Sequence, residues 1–478
     1  MASERGAIRR ANVIGAGPNG LAAAVTLAQA GLAVEVFEAE AQPGGAARTM
    51  ELTLPGFRHD FGSSVYPMGA GSPFFRTLPL AELGLEWIHG DACAAHPLDD
   101  GTAVMLERTP KDQARELGED GRAWNELMRP AGERWWDFAA DALQPPLHFP
   151  AHPILMARFG LHAVHSAAML AGRFRAERAK ALFAGLAGHS LLAFDQPMSA
   201  AVGLIFGATA LAVGWPVAKG GAQSISNALI RRLEQFGGVV HTSRRIGSLD
   251  ELDTHGAITM CDVTARQLLT IAGSRLAPGY RRALGRFRFG PGAFKIDYAL
   301  TAPIPWKAAA CRRAMTVHVG GTFSEIAEAE HEVGAGKQAD QPFVLVTQPS
   351  LFDHSRAPAG KHTAWAYCHV PHGAGEDRTQ AIEAQIERFA PGFRDCVLAR
   401  RAWSPADLES MDANLIGGDV NAGAFNLRQA FFRPSLRAYR TGTPGLYLCS
   451  ASTPPGGGVH GMCGYNAARA AIRDLRID

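Results

Sequence analysis

ANVIGAGPNGLAAAVTLAQAGLAVEVFE, residues 11–38, is the stretch that decides the fold. A short apolar run, a glycine turn, an alanine-rich segment and a second run carrying Val34 and Val36 predict strand, turn, helix and strand. Gly15 permits the tight turn, Gly17 lets a pyrophosphate approach the backbone, and Gly20 lets the helix pack closely on the sheet. Pro18 and Asn19 stand at the helix start, where free N–H groups face an anion. Glu38, followed by Ala39, lies eighteen residues past Gly20 at the end of the second strand, placed to bond ribose hydroxyls and repel a 2′-phosphate. The glycine triplet alone is a weak sign. Together with strand, helix and acid in register it predicts a dinucleotide-binding βαβ unit.

Working outward, 478 residues predict two or three globular units, given the usual ~100 to 200 residues per domain. With 47% hydrophobic and 19% charged residues the chain buries a sizeable core. The net charge is +2 and no long block of like charge tracks a phosphate backbone, which excludes nucleic acid as a main partner. Seven cysteines without a CxxC pair read as buried reduced thiols, disfavour dithiol and zinc chemistry, and imply a cytoplasmic chain. Arg9-Arg10 before the apolar run imitates a secretion signal, but the glycines that interrupt the run suit the βαβ reading. Residues 198–215, MSAAVGLIFGATALAVGW, are uncharged and just reach the ~18-residue threshold of a membrane span. Bracketed by Pro197 and Pro216, they read as a buried or cavity-lining helix, with peripheral membrane contact as the alternative.

After Glu38 come PGGAART, residues 43–49, and GFRHDFGSS, residues 56–64. Far downstream, residues 445–472, GLYLCSASTPPGGGVHGMCGYNAARAAI, predict a strand from Leu446 to Cys449, a glycine-rich loop and a helix starting near Gly461. These motifs resemble the flavin amine oxidase and phytoene desaturase superfamily. The resemblance implies FAD, with Gly44, Gly45 and Arg48 at its phosphates and flavin side, and Gly62, Ser63 and Ser64 beneath the flavin. It also implies a second FAD motif running from Ser450 and Ala451 to Gly458, Val459, His460, Gly461 and Met462. Residues 216–240 would form a helix and a returning strand, followed by a strand at Arg244–Ile246 that passes the adenine at Ile246. Here the chain departs from the family, offering only the compressed IGSLDELDTHGAITMCDVT where a long hairpin is usual.

The fold class so implied is α/β: a Rossmann-type, GR2-like FAD-binding domain with an inserted α+β substrate domain. The first comprises residues 1–75, 215–265 and 441–478, and the second residues 76–214, mostly helical, and 266–440, with strand-like AFKIDYAL, FVLVTQ and HTAWAYCHV. The resemblance is to the phytoene-dehydrogenase-related branch and spans nearly the whole chain. It implies an FAD-dependent oxidoreductase, desaturase-like or dehydrogenase-like, taking a hydride from a hydrophobic substrate to flavin N5. A flavin amine or alcohol oxidase is the alternative. A scaffold like the GDP-dissociation inhibitors is the reading of another class, and three separate phosphate and flavin contacts argue against it.

No second GxGxxG with strand and helix around it suggests a nicotinamide site, and the sequence names no electron acceptor. His460 and His59 are the candidates for acid or base. His162-x-x-His165 and His369-x-x-His372 lack the further ligands of a metal site and read as ordinary histidines, so no metal is expected. Cys463 invites, weakly, a flavin thioether, and SEIAEAEHE, residues 324–332, reads as a solvated helix face.

Overall fold

A computed structural model describes residues 10–475. Its strands are β1 (Arg10–Ile14), β2 (Ala33–Phe37), β3 (Thr49–Glu51), β4 (Arg58–Asp60), β5 (Trp87–Ile88), β6 (Ala92–Pro97), β7 (Ala103–Leu106) and β8 (Val217–Ala218). There follow β9 (Val239–His241), β10 (Ala257–Cys261), β11 (Gly292–Leu300), β12 (Ala314–Val319), β13 (Val344–Thr347), β14 (His362–Val370), β15 (Val397–Trp403) and β16 (Leu446–Leu448).

The quoted stretch folds as β1, the helix Pro18–Gln29 and β2. These belong to a five-stranded parallel sheet in the order β16-β10-β1-β2-β9. Side-chain alternation splits its core. Val13, Val36 and Met260 pack beneath the helices Pro18–Gln29, Gln223–Gln235 and Met462–Leu475, while Ile14, Cys261 and Leu448 pack against Ala265–Ala272 and Pro278–Gly285 on the other face. Ile14 is level with Phe37 on one side and Cys261 on the other. The chain leaves β1 toward β2 but returns to its other edge as β10, so a crevice opens at the carboxyl ends of these strands, where open α/β sheets bind ligands.

The second sheet has seven strands in the order β15-β11-β14-β13-β12-β6-β7, antiparallel except between β12 and β6. Residues 76–214 are mostly helical, as read from the sequence, but they also carry β6 and β7. β6 is buried on both faces, Cys93 and Ala94 against helices and Ala92 and Ala95 against the other core, so its sequence shows no polar alternation.

The uncharged segment folds as the helix Ser199–Ala212, and no helix among the described residues is long and apolar enough to cross a membrane. Its glycines let neighbours close in: a Cβ on Gly207 would stand 2.4 Å from Met128 Sδ, and one on Gly203 3.2 Å from Ala187 N. Two expectations fail. No strand forms at Arg244–Ile246, because β9 already closes the sheet edge and Arg244 N–H donates to Glu38 O at 2.8 Å; Ile246 instead joins the apolar layer of Ile14 and Leu249. The helix Phe323–Gly334 is not solvated throughout, for Glu330 is buried and pairs with His369 Nδ1 at 2.7 Å. Arg9 lies outside the described residues.

Candidate functional site

At the end of β1 the backbone turns through Gly15 with φ of +98°, and its N–H donates to Phe37 O at 2.8 Å. The Glu38 carboxylate is buried and accepts from Ala16 N–H at 2.7 Å and Glu40 N–H at 3.0 Å, which fixes it at the crevice floor. Gly20 N–H, in the first turn of the helix, donates to Asp262 Oδ2 at 2.7 Å. Asp262 follows β10 and is wholly enclosed, so burial pushes its carboxyl up to about 7. Sequence reasoning missed it. The signal was an acid closing the apolar run AITMC, the same pattern by which Glu38 closes β2.

The two glycine turns meet. A Cβ on Gly45 would stand 3.3 Å from Gly17 Cα, and one on Gly17 2.9 Å from Asp262 Oδ2. Arg48 is buried beside them, its Nε donating to Gly45 O and its NH2 group to Met411 O, both at 2.7 Å, with the guanidinium 5.2 Å from the centroid of Phe61. It is thus aimed by backbone carbonyls and an aromatic ring, without a carboxylate partner among the described residues. Asn19 Oδ1 is buried with no partner. Close-approach glycines, an aimed cation and an orphaned polar atom at a helix start fit the pyrophosphate and ribose of FAD.

The second glycine loop lies over the first. Gly456, Gly458 and Gly461 have φ of +111°, +128° and +68°, and a Cβ on Gly461 would meet Ala22 Cβ at 3.0 Å. Ser450 Oγ donates to Val263 O at 2.6 Å, tying the loop to β10. Buried Arg433, also missed, donates to Ala451 O at 3.0 Å, Gly423 O at 3.2 Å and Asn421 O at 2.6 Å. His460 O accepts from Ser72 Oγ at 2.6 Å and its Nδ1 accepts from Met462 N–H at 3.0 Å; burial pushes the imidazole down to about 4. Cys463 Sγ donates to Gly456 O at 3.3 Å, and burial pushes the thiol up to about 12, so it is not a thiolate.

The segment carrying Gly62, Ser63 and Ser64 rests on a buried polar cluster that joins the antiparallel pair β3 and β4 to the seven-stranded sheet. Gly62 N–H donates to Ala46 O at 3.0 Å. Asp60 accepts from Ser64 Oγ at 2.6 Å, Thr49 Oγ1 at 2.8 Å, Ala222 N–H at 2.8 Å and Arg356 at 2.5 Å. Burial alone would raise the Asp60 carboxyl; the Arg356 guanidinium and these donors outweigh it and hold it below the ordinary value. Ser64 Oγ also accepts from Trp365 Nε1 at 2.6 Å. His59 Nε2 meets Thr53 Oγ1 at 2.8 Å, its Nδ1 stands 3.7 Å from Asp297, and burial pushes it down to about 4. Asp297 binds Lys295 Nζ at 2.5 Å and accepts from Trp403 Nε1 at 2.9 Å. Lys295 and Asp297, two apart on the apolar strand AFKIDYAL, were legible as charges sharing one face, but the sequence gave no sign of what they face.

Among the described residues no group of three or more His, Cys, Asp or Glu is placed to hold a metal. His369 is engaged by Glu330, and His372 Nδ1 lies 2.9 Å from Gly290 O.

A Rossmann crevice flanked by two further glycine loops defines an FAD-dependent oxidoreductase. Residues 13–78 match the family model described as NAD(P)-binding Rossmann-like domain. The chain is 27% identical to mouse pyridine nucleotide-disulfide oxidoreductase domain-containing protein 2, over 97% of this chain and 93% of that one. It is 25% identical to a lycopene-forming phytoene desaturase of Pseudescherichia vulneris, over 98% and 100% of the two chains. Among solved structures, wild-type putrescine oxidase bound to putrescine superposes with a TM-score of 0.61 at 17% identity, covering 98% of this chain and 99% of that one. The chain is thus similar along its whole length to a phytoene desaturase in sequence and to a flavin amine oxidase in fold.

Proposed function

We propose that this oxidoreductase is a dehydrogenase or desaturase that removes a hydride from a hydrophobic small molecule. The observation that carries the reading is the course of the uncharged helix Ser199–Ala212. It packs on the helix Pro67–Ala70, where a Cβ on Gly69 would stand 3.0 Å from Val459 O of the second glycine loop. An apolar wall therefore leads to the loop assigned to the flavin, as a lipophilic substrate requires. A relative named for desaturating phytoene supports the same class.

In this reading residues 1–75, 215–265 and 441–478 hold FAD and residues 76–214 and 266–440 hold the substrate. Gly15 to Gly20 and Gly44, Gly45 and Arg48 hold the phosphates, Glu38 and Ala39 the ribose, and Gly62 to Ser64 with Gly458 to Met462 the flavin. Bound FAD supplies the two-electron acceptor. The chain orients and desolvates. Buried His460 and His59 stay neutral at physiological pH and are weak bases, with His460 Nδ1 already engaged; both suit holding the loops in place.

Anaerobic mixing of the yellow holoenzyme with polyenes, fatty acyl compounds and amines tests the reaction. Bleaching of the flavin band by the apolar compounds is expected, and bleaching only by small charged amines would overturn the substrate reading. A colourless protein that takes up no added FAD would overturn the cofactor assignment. Arg48→Ala removes a charged hydrogen bond worth about 1.5 to 3 kcal/mol, so FAD titration should show affinity lowered roughly 10- to 100-fold with the fold intact.

A further inference from the structure

Two stretches without a single carboxylate meet on the face of the nucleotide sheet away from the helix Pro18–Gln29. Residues 263–296 contain no Asp or Glu, and neither do residues 420–473. The helices Pro278–Gly285 and Leu427–Phe431 bound a cleft of about 290 Å³ lined by Arg282, Arg286 and Arg428, with Phe287, Phe432 and Pro434 as its apolar walls. Nearby Arg266, Arg275 and Arg440 are matched by Glu409, Asp250 and Asp474. Among the described residues Arg282, Arg286 and Arg428 have no such partner. In a chain whose net charge is only +2, this is a concentrated cationic site.

The same place carries a second peculiarity. Leu427, Phe431, Phe432 and Leu436 stand between 42% and 63% exposed. Three guanidinium groups converging without a counter-ion call for an anion, and four large apolar side chains beside them call for a neighbour other than water. A free phosphate satisfies only the first demand. A second copy docked face to face would set two carboxylate-free arginine clusters against each other. Nucleic acid would engage the arginines and leave Leu427 and Leu436 in water.

We propose that this cleft takes the anionic phosphate headgroup of a phospholipid and that its apolar rim seats the protein on an anionic bilayer. The docking surface is therefore the Pro278–Gly285 and Leu427–Phe431 face, and the uncharged helix Ser199–Ala212, mostly packed inside, serves another purpose. The inference is independent of the reaction.

Flotation of the full-length protein with vesicles tests it. Binding is expected to vesicles of phosphatidylcholine containing phosphatidylglycerol, to weaken with salt, and to be absent with phosphatidylcholine alone. Changing Arg282, Arg286 and Arg428 together to Ala should lower the partition coefficient by about 100-fold, at roughly five-fold per cation near an anionic leaflet. Leu427→Ser with Leu436→Ser should lower it while preserving the salt dependence. The thermal midpoint and FAD content of each variant establish that it has folded. No binding, equal binding to both vesicle types, or a triple variant that binds like the parent would overturn the proposal. So would displacement by millimolar inorganic phosphate, which marks a soluble phosphate as the ligand, or a concentration-dependent dimer abolished by the Leu427→Ser and Leu436→Ser changes.

Discussion

Gly464→Ala is expected to leave a protein that folds poorly and holds no FAD. Gly464 sits in the first turn of the helix Met462–Leu475, where that helix crosses Pro18–Gln29. A methyl group there would stand 1.7 Å from Asn19 O, 2.7 Å from Asn19 C and 3.0 Å from Ala23 N. All three are backbone atoms, so no side chain can swing away and the helices themselves must separate. Overpacking usually costs about 1 to 3 kcal/mol, and a clash with main chain belongs at or above the top of that range. Functionally the effect is doubled, because one helix begins at the first glycine loop and the other at the second. Separating them pulls apart both sides of the cofactor crevice. Gly160→Ala, in the helix Pro153–Ala163 with nothing within 4 Å of the added carbon, is the control and should be neutral or stabilise by up to ~1 kcal/mol. Thermal unfolding and the ratio of flavin to protein absorbance read both variants. A Gly464→Ala protein that melts with the parent and is fully yellow would contradict the crossing described here.

How much of this was legible depends on whether a residue acts through local geometry or through distant partners. The βαβ unit was readable because strand, turn, helix and Glu38 lie within one short stretch and each step has its own period. The helix Met462–Leu475 and the strand His362–Val370 were readable for the same reason. β6 was not, since burial on both faces removes the alternation that marks a strand. Arg244–Ile246 was misplaced because its conformation is set by hydrogen bonding to Glu38, some two hundred residues earlier in the chain. The cluster of Asp60, Arg356, His59, Lys295 and Asp297 draws on three separate stretches, so no local pattern announces it. Asp262 lay between these cases: its place at a strand end was visible, but its bond to Gly20 N–H required the parallel register of β1 and β10.

Stability should fall as pH drops from about 6 toward 4, and the cause is a set of buried imidazoles. Burial pushes His59, His96 and His460 down to about 4, His189 to about 3, and His318 well below its ordinary value, 6.5. Between pH 6.5 and about 4 the unfolded chain carries a proton on each of these five that the folded chain does not, so each costs about 1.4 kcal/mol per pH unit as pH falls. Four carboxyls work the other way. Burial raises Glu107, Asp262, Asp412 and Asp419, so the folded state takes up their protons first and gains stability as pH falls. Five against at most four leaves a net excess of at least one proton on the unfolded chain, or about 1.4 kcal/mol per pH unit. Against a typical stability of about 5 to 15 kcal/mol that is a sizeable loss over two pH units. Asp60, held down by Arg356, contributes only lower still, its stabilisation being present above 3.8 and lost as pH falls through its depressed value. Urea midpoints at several values from neutral to mildly acidic pH measure the slope. His96→Gln keeps a donor for Gly321 O, now met at 2.6 Å, but cannot take up a proton, so it should flatten the slope by about 1.4 kcal/mol per pH unit. A midpoint that holds constant from neutral pH down to about 5, or a His96→Gln variant with the parent's slope, would show that these imidazoles are protonated in the folded state.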